Sequence, residues 1–210
     1  MTMSECVLPG ETKQEVLIST YTCHPSMANN ELSGPLVAAF LARRLAALPK
    51  RHLTYRFVFQ PETIGAIATL QRIGDHLRKN LVAGYVVTCV GDTGNFSYKR
   101  SRRGDTLADR ACEHILANSG GPAKITDFRP MGSDERQYCS PGFDLPVGVL
   151  SRSEPGTYPH YHTSLDNRDV ISFEAICESI DMYYRLCLLL ESNRVYQNQV
   201  MYGEPHLSKY

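Results

Sequence analysis

The sequence predicts an α/β fold in which a mostly parallel sheet carries helices on both faces. Short apolar runs rich in β-branched and aromatic residues recur along the chain, and stretches with apolar residues at helical spacing lie between them. This alternation is typical of βαβ units, whose crossover helices cover both faces of a sheet and give three layers. The 210 residues, 42% of them hydrophobic, are enough for one large core.

Four apolar runs bounded by turn residues are predicted to be strands: 15–23 (EVLISTYTC), 55–60 (YRFVFQ), 84–91 (GYVVTCVG) and 145–151 (LPVGVLS). Each contains the β-branched or aromatic side chains that pack well on a pleated surface. Because the first run begins so near the N-terminus, no edge strand is expected before it.

Helical spacing of apolar residues predicts the elements between these strands. The clearest case follows Ser33, a capping residue, and has Pro35 in its first turn. The helices are predicted at 34–48, after Thr63 (a short helix), from about 105 to 117, from Asp134 and Glu135 (a short helix), and from about 172 to 192.

Residues 1–195 are predicted to form one α/β domain. Residues 196–210 show no apolar period, so they are interpreted as a tail or linker toward a region outside this chain. The N-terminal residues lack a basic start followed by an apolar core, and no apolar run approaches the length of a membrane span. A cytoplasmic protein without membrane contact is therefore expected.

The charge balance limits the partners. The chain has 22 basic and 22 acidic residues, whereas nucleic-acid binders carry a strongly basic face, so no nucleic-acid partner is expected. Seven cysteines without a C-x-x-C pair are typical of reduced thiols. The expected partner is a small-molecule or peptide-like substrate, and a homo-oligomer is compatible with the sequence.

Polar residues follow the predicted strands at the edge where open parallel sheets bind ligands. Singly, each has an ordinary structural explanation: His24 as a surface or cap histidine, Glu62 at a helix N-terminus, Asp92 as a turn former. Together, histidines and carboxylates converging from separate segments indicate a divalent-metal hydrolase site. The candidate residues are His24, Asn30, Glu31, Glu62, Asp92, Asp134, Glu135, His160 and His162.

Several strings then carry a family resemblance. In chain order they are CHPSMANNELSGP (23–35), FVFQPETIG (57–65), GSDERQ (132–137) and YHTSLDN (161–167). They resemble the co-catalytic zinc aminopeptidases of clan MH and, more closely, bacterial polysaccharide-biosynthesis proteins with an aminopeptidase-like domain. The resemblance spans roughly residues 15–207 and implies a zinc-exopeptidase (phosphorylase/hydrolase-like) fold. It also implies that the chain is the catalytic core alone or a truncated copy, because members of the group carry further domains.

The resemblance implies roles for particular residues. His24 and His162 match the histidine ligands, and Glu62 matches the general base that takes a proton from water, in a hydrolase that cleaves an amide bond of a small or peptide-like substrate. The chain departs from the pattern where Asn30 replaces a bridging aspartate and Thr63 replaces a second glutamate. A neutral amide adds no charge between two cations, so one zinc ion is expected rather than two.

A third neutral position is Thr88, which stands in place of a third-strand aspartate, with Asp92 four residues later. The remaining ligand is then a carboxylate from Asp92, Glu31 or Asp134, which with the two histidines leaves an open position for water. Asn30 and Asp92 are retained among the metal-binding candidates. Glu31, Asp134, Glu135 and His160 are assigned to substrate binding, and the alternative that Glu62 is itself a ligand stays open.

Two other functions compete with this hypothesis. The neutral substitutions are also compatible with a catalytically degenerate, aminopeptidase-like binding domain connected with surface-polysaccharide biosynthesis. A serine or cysteine hydrolase is disfavoured because the chain has no G-x-S-x-G motif. Cys23 and His24 are also expected to point apart, as neighbours on one strand do.

Overall fold

The computed structural model describes residues 2–203, and seven strands of this part of the chain form one sheet. The strands are β1 (Ser4–Leu8), β2 (Glu15–Tyr21), β3 (Thr54–Gln60), β4 (Leu81–Val87), β5 (Phe96–Lys99), β6 (Ala123–Thr126) and β7 (Val147–Ser151). The helices are α1 (Ser33–Ala46), α2 (Ile64–Asn80), α3 (Leu107–Ala117), α4 (Glu135–Tyr138) and α5 (Phe173–Ser192). The four predicted strands and the positions of the predicted helices are thereby confirmed.

The sheet order is β1-β3-β2-β4-β7-β5-β6. The central pairs β3–β2, β2–β4 and β4–β7 are parallel, whereas β1 and β5 run antiparallel to β3 and β7. All seven residues of β2 are buried, as expected for a central strand that is covered on both faces. Since Tyr21 pairs with Gln60 at the ends of β2 and β3, the loops after these strands start side by side.

Helices cover both faces of the sheet, as predicted. On one face α1, α3 and α5 pack through residues such as Leu41, Cys112 and Leu186. On the other face α2 and α4 pack through residues such as Leu77 and Tyr138. Burying a large aliphatic or aromatic side chain contributes about 1.5–3 kcal/mol, so these two layers hold the strand ends in fixed register.

Two sequence-based expectations about elements were wrong. An edge strand, β1, does precede residues 15–23, and it escaped notice because four of its five residues are exposed and form no apolar run. The helix after Thr63 is not short, since α2 spans 17 residues. Gly74 does not end it, because the missing side chain makes room for the ring of Phe143.

The C-terminal segment follows α5 without regular structure as far as residue 203. The division between a domain at 1–195 and a tail at 196–210 stays a prediction, and residues 204–210 of that tail lie outside the described residues. No described helix is both long and apolar enough to cross a lipid bilayer.

Candidate functional site

The carboxyl ends of β2, β3, β4 and β7 lie along one edge of the sheet. The chain after these strands carries, in order, His24, Glu62, Asp92 and the loop containing His160 and His162. The topology therefore brings residues far apart in sequence to one place, as the strand order requires.

Backbone strain is concentrated at this edge. Six described residues other than glycine have a positive φ, and five of them follow strands that end here: His24 (φ 55°), Ser26 (φ 86°), Thr63 (φ 62°), Cys89 (φ 50°) and His162 (φ 55°). Such conformations cost about 1–3 kcal/mol each and cluster at active and ligand-binding sites. The backbone thus marks this edge independently of its side chains.

His24, Glu31 and Cys23 form a compact group of donor atoms. His24 Nδ1 lies 2.8 Å from Glu31 Oε1, and one donor atom from each of the three side chains lies within 4.8 Å of the others. The expectation that Cys23 and His24 point apart was wrong. Strand β2 ends at Tyr21, and the left-handed backbone of His24 turns its ring to the same side as the Cys23 sulfur.

Glu31 reaches this group from a π-helical turn, Ala28–Leu32, that leads directly into α1. The residue is only 5% exposed, and its Oε2 has no hydrogen-bond partner among the described residues. Burial, followed by the neighbouring carboxylates of Glu62, Asp166 and Asp134, raises the pKa of its carboxyl to about 9. A divalent cation would neutralise this concentration of negative charge, so the group fits a metal ion.

His162 stands opposite His24. Their ring centroids are 4.6 Å apart, and the ring of Tyr161 stacks on His162 at 3.9 Å. Burial, followed by the neighbouring His24, lowers the pKa of His162 and favours its neutral form, which is the form that binds metals. His160, two residues earlier, is half-buried, and its carbonyl accepts a hydrogen bond from the hydroxyl of Thr163.

Glu62 is held by a strained turn. Thr63 has φ 62° and ψ −67°, and the Ile64 amide donates to the Glu62 carbonyl at 2.6 Å, which makes a γ-turn of the rare positive-φ kind. Asp134 holds this turn, since its Oδ1 accepts from the Thr63 amide at 2.6 Å and its Oδ2 accepts from Gln60 Nε2 at 3.0 Å. Glu62 is half-buried, and its carboxylate receives no hydrogen bond from the described residues.

Asp134 and Glu135 are fully buried behind this turn. Burial raises the pKa of Asp134 to about 7, against the opposing effect of its hydrogen bonds from Thr63 and Gln60 and together with smaller contributions from Glu62 and Glu135. Burial also raises the pKa of Glu135, against the opposing effect of its ion pair with Lys99. Both carboxyl groups therefore belong to the frame of the site, and their predicted contact with substrate stays a prediction.

Asn30 and Asp92 lie behind the donor group. The Asn30 side chain donates to the Tyr21 hydroxyl at 3.2 Å, and its Oδ1 is buried without a partner in the described part of the chain. Thr88 donates to the Asn30 carbonyl at 3.0 Å. The two carboxylate oxygens of Asp92 accept hydrogen bonds from Asn29 Nδ2, the Gly94 amide and the Ser153 hydroxyl.

Asp166 was not among the residues selected from the sequence. Its two oxygens accept from the backbone amides of Asn29 (2.7 Å) and Asn30 (3.0 Å), and the Tyr158 hydroxyl donates to it at 3.1 Å. It thus ties the loop of His162 to the turn that carries Glu31. The signal was present, because Asp166 lies in the YHTSLDN string, but its backbone partners lie more than 130 residues away.

This fold and edge site define an aminopeptidase-like α/β domain. A family model described as "Domain of unknown function (DUF4910)" matches residues 1–193, and the chain belongs to that family. Over 209 residues the chain is 44% identical to a Clostridium acetobutylicum protein described as "Putative polysaccharide biosynthesis protein with aminopeptidase-like domain". The alignment covers all of this chain and 48% of the relative. The chain thus spans about half the length of this curated relative, and the resemblance seen in the motifs is confirmed.

Solved structures agree with this assignment. A "putative peptidase" from Clostridium acetobutylicum superimposes with a TM-score of 0.91 at 43% identity, over 99% of this chain and 48% of that one. A zinc aminopeptidase from Bacillus subtilis superimposes with a TM-score of 0.73 at 17% identity, over 91% of this chain and 50% of that one. The second similarity is one of fold alone.

Proposed function

We propose that this chain is the core of a metal-dependent hydrolase that cleaves an amide bond of a small or peptide-like substrate. One observation carries the proposal: Glu31 presents a buried carboxylate oxygen, without a partner among the described residues, beside His24 and at the strained edge that also holds Glu62. Metal donors and a free carboxylate meet at this edge, which is an arrangement that metal-dependent hydrolysis of an amide uses.

His24 and Glu31 would hold the ion, and His162 is the third ligand that the motifs imply. One zinc ion is proposed rather than two, because Asn30 adds no charge and the oxygens of Asp92 are already hydrogen-bonded. When bound, zinc supplies a Lewis acid that polarises a carbonyl and lowers the pKa of water.

Glu62 would act as the general base. Its carboxylate is free of hydrogen bonds from the described residues, and the turn held by Asp134 fixes its backbone. It would accept a proton from the attacking water and then pass it to the leaving amine, as a single carboxylate can in amide hydrolysis.

The test is hydrolysis of a panel of aminoacyl 4-nitroanilides by the zinc-loaded chain. Glu62→Gln should reduce kcat by about 10²–10⁴-fold, because it removes proton transfer, while the zinc content stays unchanged. Glu174→Gln, an exposed residue at the start of α5, is the matched control and should keep full activity. Zinc-loaded protein that hydrolyses nothing, or a Glu62→Gln variant with full activity, would overturn the proposal in favour of a binding domain.

A further inference from the structure

The sulfur of Cys23 is a donor atom to which the sequence assigned no role. It lies within 4.8 Å of a nitrogen of His24 and an oxygen of Glu31. Glu31 is an independent sign of a ligand at this group. It is 5% exposed, and its Oε2 is buried without a partner among the described residues. A buried carboxylate oxygen in this state is costly unless a donor or a cation meets it, so the group points to a ligand.

The buried carboxylates near Glu31 are already engaged, because their oxygens accept hydrogen bonds from other groups: Asp92, Asp134 and Asp166. A divalent ion bound by Glu31 and neutral imidazoles alone would therefore keep one unit of positive charge on itself and its ligands. A thiolate at Cys23 would supply the second negative charge at the right place.

We propose that Cys23, His24 and Glu31 are the three protein ligands of the ion, with Cys23 in the place that the motifs imply for His162. His162 does not belong to the group of donor atoms within 4.8 Å of one another, so it faces the ion's open side without binding it. Binding replaces the thiol proton of Cys23, which leaves to solvent, by a sulfur–metal bond. The inference rests on the proposed function only for the presence of an ion. Three protein donors with a fourth position open are the arrangement of catalytic zinc, and a thiolate selects zinc or cobalt over manganese or magnesium.

This assignment links the ion to the proposed base. The backbone amide of Glu62 donates to the Cys23 sulfur at 3.3 Å. A metal-bound thiolate is a stronger acceptor than a thiol, because charge-assisted hydrogen bonds are roughly twice as strong as neutral ones. Metal binding should thus tighten the turn that carries Glu62.

The test is the absorption spectrum of the cobalt(II)-loaded chain. Wild type should show a thiolate-to-cobalt charge-transfer band in the near ultraviolet in addition to the visible d–d bands. Cys23→Ser should lose the charge-transfer band and bind zinc more than about tenfold more weakly, since even loss of an outer-sphere partner of a metal ligand costs that much. Cys177→Ser, at an exposed cysteine on α5, is the matched control and should keep both. His162→Ala should keep the charge-transfer band.

The outcomes separate this inference from the proposed function. Bound cobalt with d–d bands but no charge-transfer band in wild type would overturn the thiolate ligand and leave the hydrolase standing. Loss of bound cobalt in His162→Ala would overturn the exclusion of His162. No cobalt or zinc bound in equilibrium dialysis would overturn both proposals. Because the wild-type spectrum decides the main point, the test does not depend on the stability of a variant.

Backbone resonances give a second readout that needs no activity. In 15N-labelled protein, zinc should shift the Glu62 amide proton downfield in wild type, since its acceptor becomes a thiolate, and should leave it in place in Cys23→Ser. An equal shift in both proteins would count against the sulfur–metal bond.

Discussion

At the scale of the residue, the carboxyl of Glu31 is surrounded by other acidic groups. Its pKa is raised to about 9 by burial and by Glu62, Asp166 and Asp134, against about 4.3 in an unfolded chain. Between these values the native protein keeps a proton that the unfolded chain has lost, so the free energy of unfolding falls as the pH rises through this window. Asp134, with a pKa of about 7, contributes to the lower part of the same window.

The first prediction follows from this linkage. In the presence of a chelator, the free energy of unfolding should decline from about pH 5 to pH 9, and Glu31→Gln should make the decline shallower because it removes one of the two titrating groups. The free energy of unfolding at each pH is measured by urea unfolding followed by circular dichroism. Glu174→Gln should follow wild type, and a Glu31→Gln curve parallel to wild type would refute the assigned shift.

The second prediction concerns Asp166, which is 1% exposed and accepts hydrogen bonds from two backbone amides and a tyrosine hydroxyl. Asp166→Ala leaves these donors unpaired and should lower the free energy of unfolding by at least about 2 kcal/mol, because each buried donor without a partner costs about 1–3 kcal/mol. Asp166→Asn should cost less, since one amide oxygen remains as an acceptor.

Urea denaturation of both Asp166 variants gives the values. Asp169→Ala is the control in the same loop, because Asp169 is exposed and its carboxylate binds no described residue. Equal stabilities of Asp166→Ala and Asp169→Ala would show that the loop is not held in the way described.

At this scale, the sequence predicts which residues lie at the site better than it predicts what each of them contacts. His24, Glu31 and His162 lie together because the strand ends that carry them adjoin, which the βαβ pattern predicts. The side-chain direction of Cys23 was wrong because it depends on the left-handed backbone of His24, which no periodicity reveals. Asp166 lies in the YHTSLDN string but was missed, because its partners are backbone amides far away in the sequence.

At the scale of the element, α2 shows how tertiary contacts decide the length of a helix. A glycine in a helix interior, such as Gly74, costs about 1 kcal/mol relative to alanine. In the structure, a Cβ at position 74 would clash with the ring of Phe143. Tertiary packing therefore outweighs the local propensity, and the helix continues to Asn80. Similarly, β5 and β6 have four residues each and pair only through distant partners, so their own sequence did not predict them.

The third prediction follows from that contact. Gly74→Ala should lower the free energy of unfolding by about 1–3 kcal/mol through overpacking, although alanine is the better helix former. Gln71→Ala, at an exposed position of the same helix, should change stability by less than about 0.5 kcal/mol. Combining Gly74→Ala with Phe143→Leu should recover part of the loss, and additive effects in this double variant, measured by urea denaturation, would exclude the contact as the cause.

At the scale of the whole molecule, two separately packed layers of helices cover the two faces of the sheet, and one edge of the sheet carries the site. The layered architecture follows from the sequence because apolar periodicity is distributed along the whole chain, whereas the metal stoichiometry depends on a few side-chain charges. Asn30, Thr63 and Thr88 are neutral, and Glu31 supplies a buried carboxylate beside His24. These charges are the reason that one divalent ion is proposed rather than two.

The number of bound zinc ions can be measured from the zinc dependence of the stability of the chain, without any assumption about catalysis. A ligand that binds only the native state adds RT ln(1 + [L]/Kd), so each tenfold increase in free zinc above Kd adds about 1.4 kcal/mol per bound ion. The free energy of unfolding, measured in zinc buffers, should rise with this slope, and Glu31→Gln should shift the rise to higher zinc. Zinc that binds to cysteines of the unfolded chain would reduce the slope equally for wild type and for the control variant Glu174→Gln. A slope near 2.8 kcal/mol per tenfold increase in free zinc would require two ions. The neutral amide of Asn30 would then lie beside both ions.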